Sequence, residues 1–250
     1  MLPAHFIPRG RPLIWAHRGA SAEAPENTLA AFALALAQGA DGIELDAQRC
    51  ATGEVVVIHD DSLARTTGLA ALVVDTTWPV LRTLDASAWK GSGFRGEHVP
   101  LLSQTLEAFP GLVNVELKCD RADDRGLTAE VVRVVRAAGA EERVLLSSFN
   151  PLCLWRARLA APRIPRALLF ESEQRWAVRS AFAAPLVGAC AMHPEHVLAT
   201  PRRISRWGRR GYSVACWTVD EVEEAARLYR SGVSGIITNR PALMRQRWPT

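Results

Sequence analysis

Short apolar runs rich in β-branched residues alternate along the chain with longer Ala-, Leu- and Arg-rich stretches. The runs predict strands at residues 13–17, 42–48, 55–59, 113–118, 144–148, 166–170, 188–192, 213–218 and 235–238. Helix-length segments such as 26–38, 127–138, 151–160 and 220–230 separate most of them. A βαβα rhythm implies a parallel sheet with helices outside it. Several runs are apolar without strict alternation, as strands covered on both faces should be. At 250 residues the chain is long enough to close this pattern into one (β/α)8 TIM barrel, a single domain over 1–250.

Nine runs compete for eight barrel places. Only six residues separate 48 from 55, whereas a helical crossover needs about 10–12. The Ala51-Thr52-Gly53-Glu54 stretch has the character of a tight turn, so the flanking strands are expected to pair as a hairpin, with Glu44 roughly opposite His59. A second irregularity follows the third strand. Residues 61–100 are too long for one loop and carry Trp78, Trp89, Lys90 and a Gly91-Ser92-Gly93 break. Long insertions at the carboxyl ends of barrel strands belong to the active-site mouth, so this one is expected to form a small helical cap.

Composition narrows the partners. A formal net charge of +4 with no basic tail makes no case for nucleic acid. Arg202, Arg203, Arg206, Arg209 and Arg210 spread over a broad helical face and read as a solvated surface. Five scattered cysteines without a C-x-x-C pair argue against a zinc knuckle or a disulfide scaffold and for a reducing compartment. No basic n-region with an apolar run follows Met1, and no stretch approaches the roughly 20 apolar residues of a membrane span. The expectation is a soluble cytoplasmic protein without membrane insertion; its oligomeric state stays open.

Polar residues fall at strand ends, where barrel enzymes keep their chemistry: His17-Arg18, Glu44 with Asp46, His59-Asp60, and Glu116 with Lys118. Residues i and i+2 of a strand share a face, so Glu44 converges with Asp46 and Glu116 with Lys118. Like charges turned inward are costly unless paired or bound to a metal. Three carboxylates without His or Cys in the motif suit one hard divalent cation, Mg²⁺ or Ca²⁺, better than Zn²⁺. Taken singly, each piece also reads as a salt-bridged edge or a satisfied polar residue; their coincidence on successive strand ends favours a site. No G-x-S-x-G elbow and no P-loop occurs.

These residues carry a resemblance. His17-Arg18-Gly19, Pro25-Glu26-Asn27-Thr28, Gly39 through Asp46, His59-Asp60, Arg65-Thr66-Thr67, Val115-Glu116-Leu117-Lys118, Cys216-Trp217-Thr218-Val219 and Gly235 through Pro241 resemble the glycerophosphodiester phosphodiesterase family over nearly the whole chain. The resemblance implies a (β/α)8 barrel that hydrolyses glycerophosphodiesters to glycerol 3-phosphate and an alcohol, with a divalent cation, Mn²⁺ being a third option. It implies His17 and His59 as the acid–base pair and Glu44, Asp46 and Glu116 as metal ligands. It places Arg18 and Lys118 on the phosphate, Asn27 in the supporting shell and Trp217 at the substrate pocket. Cys50 and Thr52-Gly53 depart from the family's usual turn, Ser234 from the Asp that commonly precedes Gly-Ile-Ile, and Asn239 from a frequent Asp. A related barrel phosphodiesterase acting on lysophospholipids or sphingolipids stays open, as does a non-catalytic phosphodiester-binding barrel.

Overall fold

Trp15 packs inside the barrel, against inward residues of several other strands. The computed structural model describes residues 2–8, 10–173 and 181–249, and among them the apolar runs form nine strands. These are β1 (Leu13–His17), β2 (Gly42–Arg49), β3 (Val55–Val57), β4 (Leu112–Leu117), β5 (Val144–Ser148), β6 (Arg166–Phe170), β7 (Ala191–Pro194), β8 (Ser213–Cys216) and β9 (Gly235–Thr238). All except β3 run parallel, and β1 pairs with both β2 and β9, which closes an eight-stranded barrel. Inside, Trp15, Leu145, Ala167, Ala191, Ala215 and Ile237 pack with Phe6 from the amino-terminal segment. Gly42 is required here, since a Cβ would lie 2.7 Å from the Trp15 ring.

Helices α1 (Leu29–Ala37), α2 (Ala64–Thr67), α3 (Trp78–Leu81), α4 (Leu102–Ala108), α5 (Leu127–Ala137), α6 (Pro151–Ala160), α7 (Pro201–Gly208), α8 (Val222–Arg230) and α9 (Pro241–Arg247) follow in chain order. Their starts are written in the chain. Thr28, Asn150 and Thr200 cap α1, α6 and α7 through side-chain oxygens, and a proline opens both α6 and α7. Outward-facing strand residues such as Ile43, Leu45, Val113 and Val115 pack beneath these helices.

The hairpin forms: β2 and β3 are antiparallel, with Ala47 opposite Val57 and Arg49 opposite Val55. The expected approach of His59 to a position opposite Glu44 does not occur. β1 occupies that edge of β2 as far as Glu44, so β3 can pair only beyond it. Glu44 instead stands between His17 of β1 and Asn114 of β4. The strand expected at 188–192 also lies later, at Ala191–Pro194. The buried guanidinium of Arg166 takes the carbonyls of Val187 and Gly188, and Gly188 turns the chain with φ 62°. Gly188 is thereby withdrawn from the sheet.

Between β3 and α4 the chain builds a small core from Val56, Ile58, Leu63, Val73, Leu81 and Val99. It is tied to the loop after β1, at the carboxyl end of that strand. Lys90 Nζ donates to the carbonyls of Ser21 and Ala22 at 2.6 and 2.9 Å, and Arg65 reaches Glu26.

Candidate active site

Glu44 and Asp46 share the inner face of β2, and Glu116 stands on β4 directly beside Asp46. Oxygens of the three carboxylates lie within 4.8 Å of one another, and all three residues are buried. Such a cluster resists ionisation. Burial, then the charges of Asp46 and Glu116, push the Glu44 carboxyl well above its usual range. Burial with the charge of Asp46 pushes Glu116 up to about 7. Asp46 goes the other way: burial opposes its ionisation, but Arg18 and Lys118 hold it below the usual range. This donor set fits a divalent cation, because it offers convergent hard oxygens whose mutual repulsion a doubly positive ion would relieve.

The cations beside the cluster are held by backbone geometry. Arg18 lies in the left-handed region at φ 55°, and Gly19 follows at φ 85°. This turn lets the Arg18 N–H donate to the Glu44 carbonyl at 2.9 Å. A Cβ on Gly19 would lie 2.6 Å from that of Ala31, so α1 can seat against the turn only over glycine. The Arg18 guanidinium then sits 3.3 Å from Asp46 and 3.0 Å from Glu26. Lys118 Nζ lies 3.1 Å from Glu116 and 3.8 Å from Asp46. Asn27 is left-handed too, at φ 59°; its Nδ2 donates to Asp46 Oδ2 at 2.8 Å and its Oδ1 accepts the Asp46 N–H at 3.3 Å. A non-glycine residue in this region costs about 1–3 kcal/mol, and both lie in the loop that orients Asp46.

His17 and His59 line one cavity of about 260 Å³ together with Arg18, Glu44, Glu116, Lys118 and Trp217. Their partners differ. His17 Nδ1 lies 2.8 Å from Asn239 Oδ1, and Asn239 Nδ2 donates to Asp220 at 2.7 Å. A carboxylate only accepts, so the amide oxygen must face His17 and Nδ1 must carry the proton. Nε2 is then the basic nitrogen, 3.9 Å from Glu44. Burial, aided by Arg18, lowers His17 to about 4, so the ring is neutral near pH 7. His59 Nδ1 donates instead to the Asp60 carboxylate at 2.7 Å. Asp60 accepts from Arg65 at 2.6 Å, and Arg65 bonds onward to Glu26. Arg65, then His59, hold Asp60 down at about 2.

Trp217 stands edge-on to Phe149, with ring centroids 5.5 Å apart, and donates Nε1–H to the His193 carbonyl at 2.8 Å. With Leu169 these rings form the apolar wall of the cavity. Sequence reasoning missed several supporting groups. Gln48 continues the Glu44–Asp46 series by two, and its Nε2 lies 3.0 Å from the carbonyls of both His59 and Asp60. That spacing was a usable signal. The Asp220–Asn239–His17 relay had none, since Asn239 is 222 positions from His17.

A barrel that gathers two histidines, three buried carboxylates and two cationic side chains at the carboxyl ends of its strands falls in the class of enzymes that hydrolyse phosphate esters. Residues 17–243 match the Glycerophosphoryl diester phosphodiesterase family, and the chain belongs to it, as a phosphoric diester hydrolase. It is 36% identical over 234 residues to the glycerophosphodiester phosphodiesterase of Caldanaerobacter subterraneus subsp. tengcongensis, covering 92% of this chain and 95% of that one. An Oleispira antarctica phosphodiesterase, solved in complex with the product sn-glycerol-3-phosphate, is 28% identical with a TM-score of 0.89 over 98% of each chain. A glycerophosphodiester phosphodiesterase from Agrobacterium tumefaciens str. C58 is 28% identical, with a TM-score of 0.75 over 94% of this chain and 99% of that one. Among the described residues no helix is long and apolar enough to cross a membrane.

Proposed function

We propose that the enzyme hydrolyses glycerophosphodiesters to glycerol 3-phosphate and an alcohol by histidine acid–base catalysis, through a cyclic 1,2-phosphate. The observation that carries this reading is the pair of histidines with unlike partners in one cavity with the buried carboxylate cluster. Glu44, Asp46 and Glu116 would hold the cation, Mg²⁺ or Ca²⁺ with Mn²⁺ as a third option. When bound, it supplies Lewis acidity and neutralises developing charge. Arg18 and Lys118 add positive charge for the phosphate oxygens, Asn27 keeps Asp46 in place, and Trp217 packs on the substrate carbons.

Among the residues of the cavity none is a side-chain nucleophile of the serine or cysteine type. A glycerophosphodiester brings its own, the 2-hydroxyl of glycerol. Oriented attack within one molecule has effective molarities of up to about 10⁵–10⁸ M. Neutral His17 takes the hydroxyl proton on Nε2 as the oxygen bonds to phosphorus. The bond from phosphorus to the departing alcohol breaks, and His59, oriented through Nδ1 by Asp60, protonates the alkoxide. Water then opens the ring with roles reversed: His59 removes its proton, hydroxide adds to phosphorus, and His17 returns a proton to the 2-oxygen. The 61–100 insertion, within the single domain, would cap the mouth where the alcohol departs. The test is a substrate whose 2-hydroxyl is replaced by hydrogen. It should bind but hardly turn over; turnover near that of the parent compound would point to direct attack by water. Glycerol 3-phosphate release from glycerophosphocholine, with and without EDTA, tests the cation.

A further inference from the structure

The inner face of β4, continued by the residue that follows the strand, presents an amide, a carboxylate and an ammonium at alternate positions: Asn114, Glu116 and Lys118. The carboxylate belongs to the acidic cluster and the ammonium is paired with it. Asn114 has no such explanation. It is 0% exposed, lines the cavity, and neither Nδ2 nor Oδ1 has a protein partner. It is paired through the backbone to Glu44 on one side and Leu145 on the other. Its apolar inward neighbours, Leu145 on the adjoining strand and Trp15, Ala167 and Ala215 around the barrel, pack without an amide, so packing does not call for one here. A buried donor and acceptor left unmet are costly, which points to a ligand.

Resting on the proposed function, we infer that Asn114 binds the terminal hydroxyl of the substrate's glycerol and selects for it. An amide offers one acceptor and a two-proton donor in the same plane. A hydroxyl, which both donates and accepts, satisfies both ends. A phosphate oxygen would leave Oδ1 unmatched, and a cation would leave Nδ2 unmatched. Position supports the assignment. Asn114 lies two residues before Glu116 on the same face, roughly 6.6 Å deeper into the barrel. The face therefore reads, from inside outward, hydroxyl, carboxylate cluster, phosphate-directed ammonium. The glycerol enters first, its carbons against Leu169, Ile237 and Trp217 of the same cavity. Its 2-hydroxyl and phosphate stop beside His17, and the leaving alcohol points out toward the mouth. Asn114 is thus a specificity-determining residue for the buried half of the substrate, and the varied half meets little of the barrel interior.

The experiment compares kcat/KM of the Mg²⁺-loaded enzyme for glycerophosphocholine and for the analogue whose terminal hydroxyl is replaced by hydrogen. Wild type should prefer the parent by about 10- to 100-fold, the size expected when a buried neutral partner is left unpaired. Asn114→Leu should lose most of that preference by falling on the parent while holding its rate on the analogue, and Asn114→Ser should keep part of it. Calorimetry gives a readout apart from turnover: Asn114→Leu should weaken sn-glycerol 3-phosphate while leaving inorganic phosphate unchanged. A preference that survives in Asn114→Leu, or equal losses on both substrates, overturns the inference and leaves Asn114 as a holder of structural water. Should the leucine variant not fold, Asn114→Ala is put through the same two comparisons. Wild type inactive on glycerophosphocholine would instead overturn the proposed function, and the binding comparison would still decide on Asn114.

Discussion

His17 and His59 are the same residue type with different second partners, a neutral amide for one and a carboxylate for the other. That difference sets one ring beside an uncharged partner and the other beside an anion, and it gives each histidine a defined free nitrogen. His17→Ala and His59→Ala should each lower kcat by about 10²–10⁴-fold, the usual contribution of a positioned acid or base. The double variant should fall well short of the product, because the proposed mechanism uses both in one proton-transfer sequence. Steady-state kinetics on glycerophosphocholine decides this, and near-normal turnover in either single variant removes that residue from the mechanism. A third histidine acts on stability. His193 is 3% exposed, its Nδ1 has no protein partner, and burial lowers it from 6.5 to about 3. The folded state therefore binds this proton less readily than the unfolded chain. Between those values stability falls as pH falls, by about 1.4 kcal/mol per pH unit from this group, and it is fully present above the unfolded value. Urea unfolding from pH 4 to 7 should show a shallower pH dependence in His193→Gln, and parallel curves would show that His193 is protonated in the native state.

At the scale of elements, β2 organises the site. Its eight residues pair with β1, β3 and β4, and one of its faces carries Glu44, Asp46 and Gln48 in succession. The hairpin was legible because six residues cannot hold a crossover helix. Its register was not, because that depends on how far β1 runs along the shared edge. The insertion is a separate case, since beside the Arg65–Glu26 ion pair its attachment runs from a side chain to backbone carbonyls, which no sequence motif marks. Lys90 spans from the Gly91 break to the carbonyls of Ser21 and Ala22, beside the loop that bears Arg18 and Asn27. Lys90→Met should loosen this tie and change KM between choline, ethanolamine and glycerol headgroups, with kcat for any one of them shifting less. A uniform drop in kcat with KM unchanged across the panel would mean that the tie serves the chemistry itself.

Over the whole molecule, the carboxylate cluster works against folding until its charge is offset. Glu44 is pushed well above its ordinary range by burial and by two like neighbours. Adding Mg²⁺ to the EDTA-treated protein should therefore raise Tm; a ligand at 100 times its Kd contributes about 2.7 kcal/mol. Glu44→Gln should melt higher than wild type in EDTA, show little Mg²⁺ shift and lose activity. Thermal denaturation with and without the cation checks all three, and a full Mg²⁺ shift in Glu44→Gln would exclude it as a ligand. The barrel itself, its strand count and the inward pairs Glu44–Asp46 and Glu116–Lys118 could be read from the chain alone. Strand periodicity, helix caps and turn residues are local properties, and parallel order follows from the spacing of strands and helices. The chain alone could not show that Asn239 and Asp220 set the tautomer of His17, that Arg166 takes the Gly188 carbonyl, or that the Asn114 side chain is buried without a partner. Each depends on barrel closure, which brings β1 beside β9 and sets the depth of every inward side chain. No periodicity within a segment encodes a contact between residues 222 positions apart.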